Sequence, residues 1–161
     1  MVKEILLTQG KVALIDDDDY DLVSSFKWYA SKEGNCWYAM RQAYNPIREK
    51  IRLHRFLLNP KPNEQCDHIN GDGLDNRRNN IRIVTVSQNH MNRKRRLGSS
   101  SQFKGVSKCK STNKWVARIE VKQKHIHLGY FFDEVEAAKA YNVAALKHFR
   151  EYARINQFNE E

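Results

Sequence analysis

The chain has 161 residues and a formal net charge of +9, a length that suits one ordinary domain or two small ones. The charge is uneven: residues 91–132 carry eleven Lys and Arg against one acidic residue, the footprint of a nucleic-acid partner rather than of a solubilising surface, which intersperses both signs. Three scattered cysteines (Cys36, Cys66, Cys109) argue against a thiolate zinc site or a disulfide framework. The lack of a signal-peptide core or of the roughly 20 apolar residues of a membrane span points to a soluble, cytoplasmic protein.

From the N-terminus, "KEILLT", a turn at Gly10 and "KVALI" read as a hairpin. The run "DDDDYDLVSSF" lacks the glycine of a calcium loop and reads as a turn and a helix N-terminus, where carboxylates suit the dipole. Two aromatic strands, "KWYAS" and "CWYAMRQAY", follow, and "IRLHRFLL" reads as a short helix ending at Asn59-Pro60. His54 sits among apolar neighbours, so it is read as a packed or capping histidine with a ligand role as the alternative. This small sheet with its helix carries no reactive constellation of its own.

The next segment does. "EQCDHI" reads as a strand, "NGDGLDNRRNN" as turn chemistry throughout, and "IRIV" as a returning strand. Thr85 with Gln88 three residues on forms a capping box for a helix, "VSQNHMNRKRR", that runs to Leu97-Gly98. Such a hairpin and helix bring Asp67 toward Asn89 across a gap that fits a hard cation, and oxygen donors of this kind suit Mg2+ (or Mn2+). His68, on the other face of its strand, stays off the metal, and neutral imidazole near pH 7 can take a proton from water. A metal on the phosphate and a base on the water suffice for phosphodiester hydrolysis.

The pattern DHINGDGLDNR…NN-I-R-x-x-T-x-x-x-N within residues 53–94 resembles the HNH nuclease motif, in the Asp-His/Asn/Asn form of homing endonucleases from phages and mobile introns. The resemblance implies that His68 is the general base, that Asn80 fastens the loop, and that Asp67 and Asn89 hold the metal. Many relatives carry His at the third position, and His90 stands next to Asn89, so the helix register decides between them.

The second half alternates cleanly. "FKGVSKCKSTNKWVARIEVKQKHIHLGYF" reads as three antiparallel strands with turns at "STN" and "KQK". Trp115, Ala117, Ile119 and Val121 share one face, and Arg118, Glu120 and Lys122 the other. Asp133 with Glu136 opens the helix "EVEAAKAYNVAALKHF", whose alanines let it lie close on the apolar side. The opposite, basic side is then free for a DNA major groove. Residues 102–158 resemble the APETALA/ethylene-response-factor DNA-binding domain in "FKGVS", "KWVARI", "HLGYF", "EAAKAYNVAALKHF" and "ARINQF". The resemblance implies a DNA-reading sheet, which by position carries Lys104, Ser107, Lys108, Cys109, Arg118, Glu120, His125 and His127. Several of that family's arginines and the Trp of its third strand are replaced here, so sheet-to-groove docking carries over and the target sequence does not. Arg93, Lys94, Arg95 and Arg96 are spaced too closely for one helix face and are expected to follow phosphates.

The expected protein is thus α+β: a small N-terminal sheet with a ββα-metal nuclease unit over residues 1–97 (metal core about 64–94), a linker at 98–101, and a three-stranded sheet on one helix over 102–161. Its expected activity is metal-dependent hydrolysis of double-stranded DNA, by nicking, as a monomer, in a phage-infected or bacterial cell, with no small-molecule substrate. The competing classes are a non-catalytic DNA-binding regulator and an RNA-binding module. The second is weakened because the aromatic residues of the basic sheet fall mostly on its apolar face.

Overall fold

A computed structural model describes residues 1–44, 48–95 and 98–158. The fold is mixed α+β, with several small antiparallel sheets and four α-helices among the described residues. It divides into two compact units, 1–89 and 90–161.

In the first unit, β1 (Val2–Leu6) and β2 (Val12–Asp16) form the expected hairpin, pairing Val2 with Asp16 and Leu6 with Val12. A 3-10 turn over Asp17–Asp19 leads into α1 (Tyr20–Ser24). The aromatic strands become β3 (Tyr29–Glu33) and β4 (Cys36–Tyr44), and β5 (Arg48–Arg52) adds a third strand on the other edge of β4. That strand corrects the expectation of a helix beginning at Ile51. Ile51 and Arg52 pair with Arg41 and Met40, so α2 is only Leu53–Leu58, closed by Asn59 in a left-handed conformation. Ile5, Ala13, Ile15, Val23, Trp28, Ala39, Leu53, Leu57 and Ile81 make the core. The Trp28 indole N–H, which cannot be buried unpaired without cost, donates to the Val23 carbonyl at 2.9 Å.

The hairpin β6 (Gln65–His68) and β7 (Ile81–Val84) follows, with the registers Gln65↔Val84 and His68↔Ile81, and then α3 (Val86–Asn92). The capping box forms as expected: Gln88 N–H donates to Thr85 Oγ1 at 3.2 Å, and Thr85 N–H to Gln88 Oε1 at 2.8 Å. The helix stops at Asn92, and Arg93, Lys94 and Arg95, expected within it, are non-helical. The Met91 carbonyl accepts from the Lys104 ammonium, and Arg93 N–H turns back to the His90 carbonyl at 3.3 Å.

In the second unit, β8 (Val106–Lys108), β9 (Trp115–Val121) and β10 (Lys124–Phe131) form an antiparallel sheet in the order β10-β9-β8. Helix α4 (Glu134–Phe149) packs on it through Ala137, Ala138, Ala144 and Ala145, capped by Asp133 accepting from Glu136 N–H at 2.9 Å. Gly105 has φ +77°, and a Cβ there would meet the Tyr141 ring at 2.0 Å, so only glycine lets the chain pass this helix. Within the stretch expected as a linker, Ser101 is buried and donates to Glu134 at 2.6 Å, while Ser100 accepts from Lys108 N–H at 2.9 Å.

Candidate active site

Strand alternation sorts the site. On β6, Gln65 and Asp67 share one face, and Cys66 and His68 the other. The His68 face meets α2, and the Asp67 face meets α3.

On the α2 side His68 is buried, its ring 4.5 Å from that of His54 in an edge-on contact and 6.1 Å from Tyr38. His68 Nε2 lies 3.3 Å from Oδ1 of Asn76, a residue with no exposed surface. The Asn76 amide nitrogen donates to the Leu74 carbonyl at 3.0 Å, which turns its oxygen toward the ring. An amide oxygen only accepts, so Nε2 carries the proton and Nδ1 the basic lone pair. Burial pushes the His68 pKa down, only partly opposed by the Asn76 bond and by Asp67, Asp72 and Asp75, so the ring is neutral at pH 7. His54 is a packed histidine. Burial, then the charges of His68, Arg52 and Arg55, push its pKa down to about 2.

The loop between the strands is held from inside and outside. Asn80 donates to the Asp75 carbonyl at 2.7 Å and to Asn70 Oδ1 at 3.0 Å, and accepts from Asn70 N–H at 3.0 Å. Asp75 forms an ion pair with Arg77 at 2.7 Å, and the Arg77 bond holds its carboxyl below the usual range. From outside, β2 joins the loop: Leu14 N–H donates to Leu74 O at 2.8 Å, and Asn76 N–H to Leu14 O at 2.7 Å. The acidic run anchors Arg78, whose guanidinium reaches both Asp19 oxygens at 2.8 and 2.6 Å and the Leu57 carbonyl at 2.9 Å. Asp16 accepts from Arg78 N–H at 2.6 Å. The acidic residues thus do more than favour a helix N-terminus. Gly73 lies so close to β4 that a Cβ would come 2.3 Å from the Trp37 carbonyl oxygen.

On the α3 side, the Asn89 amide donates to Gln65 Oε1 at 2.6 Å, which brings Asn89 to the face of β6 that carries Asp67. Asp67 faces Arg82 across the hairpin, with Oδ2 at 3.0 Å from Nη2. A carboxylate and an amide oxygen on one face fit a hard divalent ion, which takes few protein oxygens and completes its shell with water and phosphate. Among the described residues, no group of three or more His, Cys, Asp or Glu gathers in a way that could hold a metal. Asp67 and Asn89 are the expected oxygen donors that lie on this face of β6, and Asp67 is shared with Arg82.

Arg82 and Asn76 were missed by sequence reasoning. The register Asp67↔Arg82 was the available signal for the first. The second is one more Asn in a turn-rich loop, with nothing local to mark it.

In the second unit, the outward face of the sheet pairs Arg118 with His127 and Glu120 with His125, all four exposed. Ser107 and Tyr130 flank Val116 on the same face. Tyr130, also missed, is exposed, its ring tilted against that of His127 with centres 4.7 Å apart. Lys108 lies instead over the Trp115 ring, 4.6 Å from its centre. The half-buried Lys104 is committed to Met91, with burial pushing its pKa down to about 8. Cys109 follows β8, its sulfur 3.2 Å from Ser111 Oγ. Arg93, Lys94 and Arg95 are exposed and non-helical, and Arg96 lies outside the described residues. No helix among the described residues is long and apolar enough to cross a membrane.

No family model matches the chain, and no solved structure matches it. An uncharacterized HNH endonuclease of Acanthamoeba polyphaga mimivirus is 32% identical over 158 residues, covering 94% of this chain and 78% of that protein. The aligned span takes in the Asp-His strand, its loop and the helix after it, along with nearly all of the basic second half. The chain belongs to the HNH endonuclease family and is an enzyme of that kind.

Proposed function

We propose that this endonuclease hydrolyses phosphodiester bonds of double-stranded DNA with a divalent metal, Mg2+ or Mn2+, nicking one strand per visit as a monomer. The observation that carries the reading is the division of labour across β6: a neutral, oriented histidine on one face and oxygen donors on the other. Asp67 and Asn89 would hold the ion, which when bound supplies positive charge to the scissile phosphate and the leaving 3′-oxygen. His68 takes a proton from the attacking water at Nδ1, and Asn76 keeps that nitrogen unprotonated by accepting from Nε2. Asn80 keeps the loop closed beneath His68. One such centre cuts one strand.

The second unit is proposed to hold DNA in the manner of the ethylene-response-factor domains, with Arg118, Glu120, His125, His127 and Ser107 on the groove side and Tyr130 beside them. Arg93, Lys94, Arg95 and Arg96 follow phosphates. Residues 1–97 then serve cutting and 102–161 binding.

Incubation with supercoiled plasmid tests the reading. Nicked circles are expected in Mg2+ or Mn2+, none in EDTA, and a loss of at least about 100-fold for Asp67→Ala. DNA binding without cutting in either metal would leave a non-catalytic regulator.

A further inference from the structure

Asp67 and Arg82 stand opposite each other in the β6–β7 register, so their side chains share a face. Among the ion pairs of the described residues, Arg82 is the most buried cation, at 17% side-chain exposure, against an Asp67 exposed by only 9%. The other paired cations range from 33% for Arg77 to 56% for Lys139. A pair this buried keeps its electrostatic strength, because little water screens it. A divalent ion arriving at Asp67 meets a guanidinium on the same carboxylate, and two cations there repel.

We propose that Arg82 is the resident counter-ion of Asp67 in the metal-free enzyme, that a divalent ion must displace it, and that the displaced guanidinium takes a DNA phosphate. This rests on the reading of Asp67 as a metal ligand. A planar guanidinium that has lost its carboxylate finds an equivalent partner in a phosphate, which offers the same paired oxygens. DNA therefore lowers the cost of admitting the metal, and by reciprocity the metal strengthens DNA binding. The free protein keeps its metal site neutralised, and the ion is held firmly only when substrate is present.

The test is Mn2+ binding by the DNA-free, full-length chain, followed by electron paramagnetic resonance of unbound Mn2+. Arg82→Met is expected to bind Mn2+ about tenfold more tightly than the wild type. Arg82→Gln, which keeps a donor and drops the charge, is expected to move the same way and serves where Met weakens the hairpin. In a His68→Ala background, which keeps a short duplex intact, Mn2+ should tighten duplex binding more with Arg82 present than with Arg82→Met. Equal or weaker Mn2+ binding by both Arg82 variants, with Asp67→Asn abolishing it, would overturn the role of Arg82 while leaving Asp67 a ligand. Unchanged binding by Asp67→Asn would overturn the ligand reading itself, and the Arg82 proposal with it.

Discussion

Asn76 has no exposed surface, and its amide is engaged on both sides, donating to Leu74 and accepting from His68 Nε2, while its backbone N–H reaches Leu14. A leucine of nearly the same shape would remove the acceptor that Asn76 offers to His68 Nε2 and with it the bias toward one tautomer. Asn76→Leu is expected to lower single-turnover cleavage by roughly 100-fold, with duplex affinity unchanged in a gel shift. Long-range nitrogen–proton NMR should find His68 protonated at Nε2 in the wild type and mixed in the variant. His54 offers a second residue-level prediction. Its pKa is about 2 when folded, against 6.5 when exposed, so below pH 6.5 the unfolded chain takes up a proton that the folded chain refuses. Stability therefore falls as the pH drops, and His68, shifted the same way, adds to the loss. Between pH 7 and pH 5, His54 alone should cost about 2 kcal/mol. Denaturant melts at the two pH values should show a smaller difference for His54→Phe.

At the scale of elements, the loop from Ile69 to Asn80 has little apolar surface of its own and depends on its anchors. Arg78 ties it to Asp19, Asp16 and Leu57 at once, and Asp19 is nearly buried. Removing the guanidinium leaves that carboxylate without its partner, so Arg78→Ala should lower stability by about 2–3 kcal/mol in denaturant melts. Local signals were readable in advance: both helix caps, the β1–β2 hairpin, the strand-loop-strand and the alternation of β9 all depend on near neighbours. The rest depended on distant ones. Strand β5 was hidden because "REKIR" alternates weakly and runs directly into a helix, so only its pairing with β4 defines it. The end of α3 was hidden because the basic run that follows has good helix formers, and the contact of Lys104, thirteen residues on, with the Met91 carbonyl is not local in sequence. In the site, the facing of Asp67 and His68 followed from strand alternation alone. The partners that define their chemistry, Arg82 and Asn76, come from register and from loop packing.

At the scale of the molecule, membership of the HNH endonuclease family joins two units of different character. The first is close to neutral and contains a buried histidine braced by its N-terminal hairpin. The second contains most of the positive charge and a sheet whose outward face pairs Arg118 and Glu120 with histidines. In the proposed reading the first unit cuts and the second holds, so loss of the base should separate the two functions. The most direct test is His68→Ala in the full chain, assayed for duplex affinity and for single-turnover nicking in Mg2+. The account predicts unchanged affinity and a loss of cleavage of about 100-fold or more. Cleavage at the wild-type rate would contradict it and take the base away from His68.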